Sequence, residues 1–459
     1  MKLPARRAGP FDRAHGPEVV ERACGALAGQ HGRGKSGFRK ESGGETKEMN
    51  LKKGVSFGAI LLCCLIVLTH GIARSQQKFR IGYADPLTGT FGRDGNLVKD
   101  AYNFWAERIN AKGGIEVKGK KYPVELTVID DKSNAAENAK FTEKLITEDK
   151  VDLILGGFGS DSVFAGSAVA EKYKYPLISG AASSNKLFER GFKYYFSTLG
   201  KATEEVRGCV DIVRTLSPKP KTGAILGSDI LFTSLAAEGY RKYAAENGIE
   251  IIHFELFPIT LQDYNSVLVK VKQKNPDILF VGSHLMVAMK TIQGMKEIDF
   301  SPKMVTFSYG PTVPDFIKNL GKDSEYVVAA SEWAPNLPYQ DPLFGTARQF
   351  HESYLKKYGR APDYVEAASA AGAYAMQVAV EKLGITPSVK EEDRVRLMEE
   401  LHKQNLMTFY GVVKFGADGA NEAHPPVAVQ VQNGKLVNVF PKEAAEAAPW
   451  YPMKPWKKR

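Results

Sequence analysis

The chain has 459 residues, 43% of them hydrophobic and 10% aromatic, with four cysteines; this balance excludes a disordered, collagen-like or disulfide-built protein. The length accommodates about three domains or two large α/β lobes. The formal net charge is +10, but residues 1–75 hold 13 Lys+Arg against 6 Asp+Glu, whereas residues 76–459 hold 49 against 46. The body is nearly neutral and lacks the electrostatic footprint of a nucleic-acid binder.

Residues 1–48 are rich in Gly and Arg and show neither strand alternation nor a sustained helical stripe. From Met49 the character changes. Lys52 and Lys53 precede an apolar run of 14 residues, 55–68 (VSFGAILLCCLIVL), and 70–75 (HGIARS) end in small residues. This predicts a secretory signal peptide over 49–75, too short for a comfortable membrane span. Cleavage is expected after Ser75, with Ala73 as second choice, so that the mature chain starts near Gln76 in a periplasm-like compartment. Translation is then expected to start at Met49, with 1–48 a wrongly assigned upstream extension; the alternative is a cytoplasmic extension before an uncleaved anchor. Cys24, Cys63 and Cys64 leave with the leader, and Cys209 alone cannot form an internal disulfide. Its setting, EEVRGCVDIVRTL, predicts a buried small hydrophobe rather than a reactive thiol.

From Phe79 to about residue 330, short apolar runs alternate with stretches of helical period, the pattern of βαβ units around a parallel sheet. Strands are predicted at 79 (FRIGYA), 124 (VELTVID), 151 (VDLILGG), 176 (PLISG), 222 (TGAILG), 249 (IEIIHFELF), 277 (DILFVGS) and 303 (KMVTFS). Helices are predicted over 96–110, stopped by Gly113-Gly114, and over 232–247, stopped by Gly248. Beyond a Pro-rich loop at 331–345, helices are predicted over 346–358, 364–383 and 391–404. Strands follow at 409–415, 427–431 and 435–440, the last two joined by Asn433-Gly434, a strong two-residue hairpin signal. The Pro- and Trp-rich tail from Ala444 is expected on the surface.

Catalytic motifs are missing from the sequence. The histidines at 253, 284, 351, 402 and 424 are scattered singly, and no CxxC, HExxH, GxSxG or GxxxxGK[ST] is present. No catalytic residue, metal site or cofactor is therefore expected, and the chain is expected not to be an enzyme. Gly156-Gly157-Phe158-Gly159 follows a strand but lacks the GxGxxG spacing of a dinucleotide site. Asp130-Asp131 is read as a strand-end and helix-capping pair. Two loops remain. Residues 156–162 (GGFGSDS) and 180–185 (GAASSN) each follow a strand, where open α/β sheets bind ligands, and their backbone N–H groups with the hydroxyls of Ser160 and Ser183 suit a carboxylate. The plain alternative is that these small residues only make turns and caps.

Taken in order, Ile81-Gly82 with Pro86-Leu87-Thr88-Gly89, INAKGGI at 109, Asp130-Asp131, GGFGSDS at 156, PLISGAAS at 176, Asp263-Tyr264 and PDILFVG at 276 carry a resemblance. Over most of residues 78–440 the chain resembles the substrate-binding proteins of ABC importers of the leucine/isoleucine/valine-binding type. That resemblance implies an α/β fold of two Rossmann-like lobes with parallel-rich sheets and a three-crossover hinge, the type I periplasmic binding protein. Lobe 1 would span 79–199 plus 331–424, lobe 2 200–330 plus 425–445, and 446–459 would be a surface tail. The ligand would lie between lobes that close on it, a movement for which periplasmic binding proteins are a standing example. Phe158, Gly159 and Ser160, with Ala181, Ala182 and Ser183, would hold its carboxylate and ammonium groups. Phe232 and His284 would cover it from lobe 2, and Asp94, Tyr309 and Tyr364 take the remaining ligand positions.

Tyr309 stands where such proteins carry the glutamate that neutralises an ammonium group, so Asp94 would have to replace it, or the ligand would be an amine-free aromatic or keto acid, or an amide. Ser133 and Gly159 stand where some relatives carry a disulfide. The expected function is extracytoplasmic binding of a branched-chain amino acid or related small carboxylate and its delivery to ABC permease transmembrane subunits, by a monomer with no nucleic-acid partner. A ligand-sensing receptor module of the same fold is the alternative.

Overall fold

The computed structural model describes residues 76–423 and 427–459. The expected extension and signal peptide, and the crossover expected at 424–425, lie outside the described residues.

Strands β1 (Phe79–Asp85), β4 (Val124–Asp130), β5 (Leu153–Leu155), β6 (Leu177–Ser179) and β7 (Tyr195–Ser197) form an all-parallel sheet in the order β4-β1-β5-β6-β7, with Phe79 opposite Val124 and Leu177 opposite Tyr195. β2 (Ile115–Val117) and β3 (Lys120–Tyr122) make a separate hairpin. The second sheet holds β8 (Thr222–Ser228), β9 (Glu250–Phe257), β10 (Ile278–Gly282), β11 (Met304–Phe307), β12 (Val328–Ser331), β17 (Val427–Gln432) and β18 (Lys435–Phe440) in the order β18-β17-β12-β11-β10-β8-β9. β17 pairs antiparallel with both β12 and β18; the other pairings are parallel. Two further small pairs are β13 (Gln340–Asp341) with β14 (Gly345–Thr346) and β15 (Leu406–Met407) with β16 (Val412–Val413). The chain is thus an α/β protein with one parallel-rich sheet in each of two lobes.

The central strands are covered by helices on both faces, which is why LIL, LIS and ILFVG read as unbroken apolar runs rather than alternating ones. Helix Gly92–Ala111 buries Leu97, Val98, Ala101, Tyr102, Trp105 and Ile109 on one stripe, and Trp105 Nε1 donates to Gln377 Oε1 at 3.0 Å. Helix Tyr364–Leu383 is buried almost all round. Its alanines let it approach so closely that a Cβ on Gly180 would lie 2.2 Å from Ser369 N.

Three expectations need correction. The 409–415 strand shrinks to β16, because Phe409 and Tyr410 are fully buried and Thr408 Oγ1 accepts from the Tyr410 and Gly411 N–H groups, turning the chain there. β7 and β12 have no predicted counterpart; each is only three or four residues long, and β12 reads VAAS, whose alanines carry weak strand propensity. The tail, expected merely to lie on the surface, is fastened to lobe 2. Gln430 exchanges two hydrogen bonds with the Trp450 backbone (2.7 and 3.0 Å), and Trp456 Nε1 donates to Phe300 O at 2.8 Å.

The described crossovers are tied together by hydrogen bonds. Gly200 N donates to Glu332 Oε1 at 3.0 Å, Tyr410 OH to Glu332 Oε2 at 2.7 Å, and Asn421 Nδ2 to Thr198 O at 3.0 Å. The hinge is a set of short strand exits joined to one another, positioned beside the strand ends that face the other lobe.

Candidate functional site

The carboxyl ends of β5 and β6 carry the two small-residue loops. Asp85, fully buried at the end of β1, accepts from Phe158 N at 2.9 Å and holds the first loop against the sheet. Gly157 is required there, since a Cβ would meet Ala84 O at 2.3 Å, and Gly159, at φ +93°, takes a conformation that favours glycine as it leads into helix Ser160–Lys172. Ser160 Oγ accepts from Ser183 N (3.2 Å) and Ser184 N (3.1 Å), and Gly159 N donates to Ala181 O at 3.0 Å, so the loops form one rigid wall. The N-terminus of that helix adds a positive field to the same wall.

Lobe 2 supplies the opposite wall. Phe232 opens helix Leu231–Glu246, His284 caps helix Leu285–Glu297 after β10, and Tyr309 follows β11. The His284 ring lies 5.3 Å from Phe232, 5.7 Å from Phe158 and 5.0 Å from Phe91, and Tyr309 meets Tyr364 edge-on at 5.8 Å. Burial pushes His284 down to about 3, so the imidazole is neutral, and its Nδ1 has no hydrogen-bond partner.

Between the walls is a cavity of about 20 Å³, lined by Phe158, Gly159, Ser160, Ala181, Ser183, Phe232, His284, Tyr309 and Tyr364 together with Leu199, Glu205 and Val365. That is about the room of a single water, so a larger ligand requires the walls to part. Two candidate residues do not line it. Ala182 packs in the lobe 1 core beneath the loop, where its carbonyl accepts from Tyr195 OH and Ser197 Oγ. Asp94 sits behind Tyr309, whose hydroxyl lies 3.3 Å from Asp94 Oδ1 and 3.1 Å from Asp363 Oδ2. Burial, with Asp363 beside it, pushes the Asp94 carboxyl up to about 7.

Sequence reading missed Glu205, which is 3% exposed and ends the short helix Ala202–Glu205 beyond the first crossover. Burial and the neighbouring Glu332 hold its pKa well above the usual carboxylate range; Ser183 and Tyr364 act in the opposite direction, yet Oε1 has no hydrogen-bond partner. Its one sequence signal is position, six residues past Leu199 in a charged TEEVR stretch that otherwise reads as a solvated helix face.

Asp130 and Asp131 hold the neighbouring turns. Asp130 accepts from Leu87 N, Thr88 N and Thr88 Oγ1, Asp131 from Ser133 N and Asn138 Nδ2, while the helix Ala135–Thr147 is capped by Asn134. Ser133 Oγ accepts from Phe91 N and donates to Thr88 O. Cys209 is fully buried, and burial raises its thiol to about 12. Among the described residues no group of three or more His, Cys, Asp or Glu is placed to hold a metal ion. No helix among them is long and apolar enough to cross a membrane.

A two-lobed parallel-sheet architecture with a cleft at the strand ends is matched over residues 78–435 by the family model described as periplasmic binding protein. The chain belongs to the periplasmic binding protein family. Its members are substrate-binding proteins of ABC transporters, and the fold is their type I fold. The Leu/Ile/Val-binding protein homolog 8 of Brucella suis is 25% identical over 409 residues, covering 83% of this chain and 97% of the relative. Among solved structures, a branched-chain amino acid transporter substrate binding protein from Streptococcus pneumoniae, in complex with isoleucine, aligns with TM-score 0.68 at 21% identity over 82% of this chain and 100% of its own. An ABC transporter solute binding protein from Rhodopseudomonas palustris, in complex with 3,4-dihydroxybenzoic acid, aligns with TM-score 0.67 at 21% identity over 83% and 99%. Members of this family bind small molecules for transport.

Proposed function

We propose that this protein is the extracytoplasmic solute-binding component of an ABC importer, which takes a branched-chain amino acid or related small carboxylate between its lobes and presents it to the permease. The observation that carries this reading is the cavity itself. It is small, it lies between the lobes, and it places Ser160 and Ser183 opposite Phe232 and His284. The hydroxyls and the helix N-terminus of lobe 1 suit a carboxylate, and the rings suit an apolar side chain. Of the eleven proposed contacts, Asp94 acts by holding Tyr309 and Ala182 by shaping its loop. Lobe closure then follows from preferential binding to the closed form. In this reading the mature monomer begins near Gln76 in the periplasm, and the permease subunits are its partners.

The wall of rings favours a second reading, an aromatic acid, the kind of ligand held by the Rhodopseudomonas palustris relative. A thermal-shift series on the purified protein, with leucine, isoleucine, valine, their keto acids, benzoate and small amides, tests both, because a ligand raises apparent stability by mass action. A rise with the branched-chain series supports the first reading, and a rise with benzoate alone replaces it by the second. Chemical change of the bound compound on prolonged incubation would refute a binding role.

A further inference from the structure

This inference rests on the small-carboxylate reading and names the class of ligand. The carboxyl groups of Asp94, Asp363, Glu332 and Glu205 lie in or around the cleft. Asp94 and Asp363 share the Tyr309 hydroxyl, and Glu332 accepts from Gly200 N and Tyr410 OH. Glu205 lines the cavity and is 3% exposed; Ser183 and Tyr364 hydrogen-bond to its carboxyl, yet its Oε1 has no hydrogen-bond partner.

A buried carboxyl oxygen left unpaired is costly, and a partner removes that cost. No Lys or Arg is among the described residues lining the cavity, and His284 is neutral. The rest of the wall is made of the rings of Phe158, Phe232, Tyr309 and Tyr364, whose faces attract a cation. A ligand carrying a carboxylate alone would bring a second acid group next to Glu205 with no cation between them. A ligand carrying a positive nitrogen beside its carboxylate matches both walls, its carboxylate at Ser160 and Ser183 and its nitrogen at Glu205.

We infer that Glu205, entering from the hinge side, is the group that recognises a positively charged nitrogen, and that the ligand is an amine-bearing or N-methylated ammonium carboxylate. Tyr309 then does not mark the loss of ammonium binding. It seals Asp94 and Asp363 from the cleft and leaves the task to a carboxylate on another element.

The test is calorimetric titration of the wild type and Glu205→Gln with three-member series: leucine, N,N,N-trimethylleucine and 4-methylpentanoate, and likewise phenylalanine, its trimethyl derivative and 3-phenylpropanoate. Wild type is expected to bind an amine-bearing member and to discriminate against its amine-free isostere by roughly a hundredfold. Glu205→Gln is expected to lose that preference while melting no lower than wild type, since the amide oxygen can still accept from Ser183 and Tyr364 and a buried ionisable group is removed. Glu205→Asp, which keeps the carboxyl group at shorter reach, should retain part of the preference. Primary and trimethylated members separate hydrogen-bonded from ring-held nitrogen. The inference is overturned if wild type prefers the amine-free acid, or if Glu205→Gln keeps its affinity for the amine-bearing ligand within about twofold; either outcome leaves the small-carboxylate reading standing. No response to any member, with small amides and benzoate equally silent, overturns that reading and this inference with it.

Discussion

Asp94, Asp363 and Tyr309 form a contact in which two buried acids from lobe 1 meet one hydroxyl from lobe 2. One phenol proton cannot satisfy two carboxylates, so burial and mutual repulsion favour holding a further proton, in line with the rise of Asp94 to about 7. The sign follows from linkage. An acid whose pKa is higher folded than unfolded binds more protons in the native state, so its contribution is favourable below its unfolded value near 3.8 and is lost as pH rises towards about 7. Asp94→Asn removes that dependence. Urea unfolding at a series of pH values should show the variant gaining on wild type as pH rises from about 4 to 7, by up to about 1.4 kcal/mol per pH unit. A constant difference would mean that Asp94 titrates normally. His284 lies on the other side of the argument: its neutral ring packs among Phe91, Phe158 and Phe232 as an aromatic wall, and its charge plays no part.

At the scale of elements, the β17–β18 hairpin is the clearest case of local chemistry deciding structure. Asn433 (φ 53°) and Gly434 (φ 70°) occupy the two left-handed positions of the turn, and Glu325 accepts both of their N–H groups. A β-branched residue tolerates that conformation poorly, so Gly434→Val should lower stability by roughly 1–2 kcal/mol, read as a shift in the urea midpoint at unchanged slope. The hairpin fills the outer edge of the seven-stranded sheet, with Gln430 held to the tail, and a looser turn should also loosen the segment around Trp450. Helix Tyr364–Leu383 shows the same agreement of levels: Asp363 and Glu366 form a capping box at its start, and Gly384 (φ 67°) ends it.

For the whole molecule, the polar contacts between lobes decide how closure is set. Arg93 of helix Gly92–Ala111 pairs with Asp315 of helix Pro314–Leu320, and Ser184 Oγ donates to Leu231 O at 2.9 Å. The Arg93–Asp315 pair is partly exposed, with side chains 36% and 27% accessible, so its worth is at most about 1 kcal/mol and falls with salt. Only contacts made in the closed form shift the open–closed balance. Asp315→Asn is therefore expected to leave the melting temperature of the unliganded protein nearly unchanged, to weaken ligand binding by a few-fold, and to make binding less sensitive to salt. Equal affinity and equal salt dependence in the variant would show that the pair does not act as a latch.

Most strands of the two large sheets, the helices ending before Gly113, Gly248 and Gly384, the N-G hairpin and the two loops at the ends of β5 and β6 were legible in the sequence, because each depends on neighbours in the chain: apolar runs, helical period, Gly stops and small residues at turns. The resemblance brought together residues as distant as Ser160 and Tyr364, nine of which line the cavity. Tertiary structure alone decided the rest. β12 is a strand because it is held between β11 and β17, and β7, at the edge of its sheet, because it pairs with β6; neither is long enough to show a pattern of its own. Asp94, the acid expected at the ligand, is covered by Tyr309, whereas Glu205, which nothing in its local sequence singles out, lines the cavity. Whether a carboxyl is free to meet a ligand depends on which groups from distant elements reach it first, and that is a property of packing rather than of local sequence.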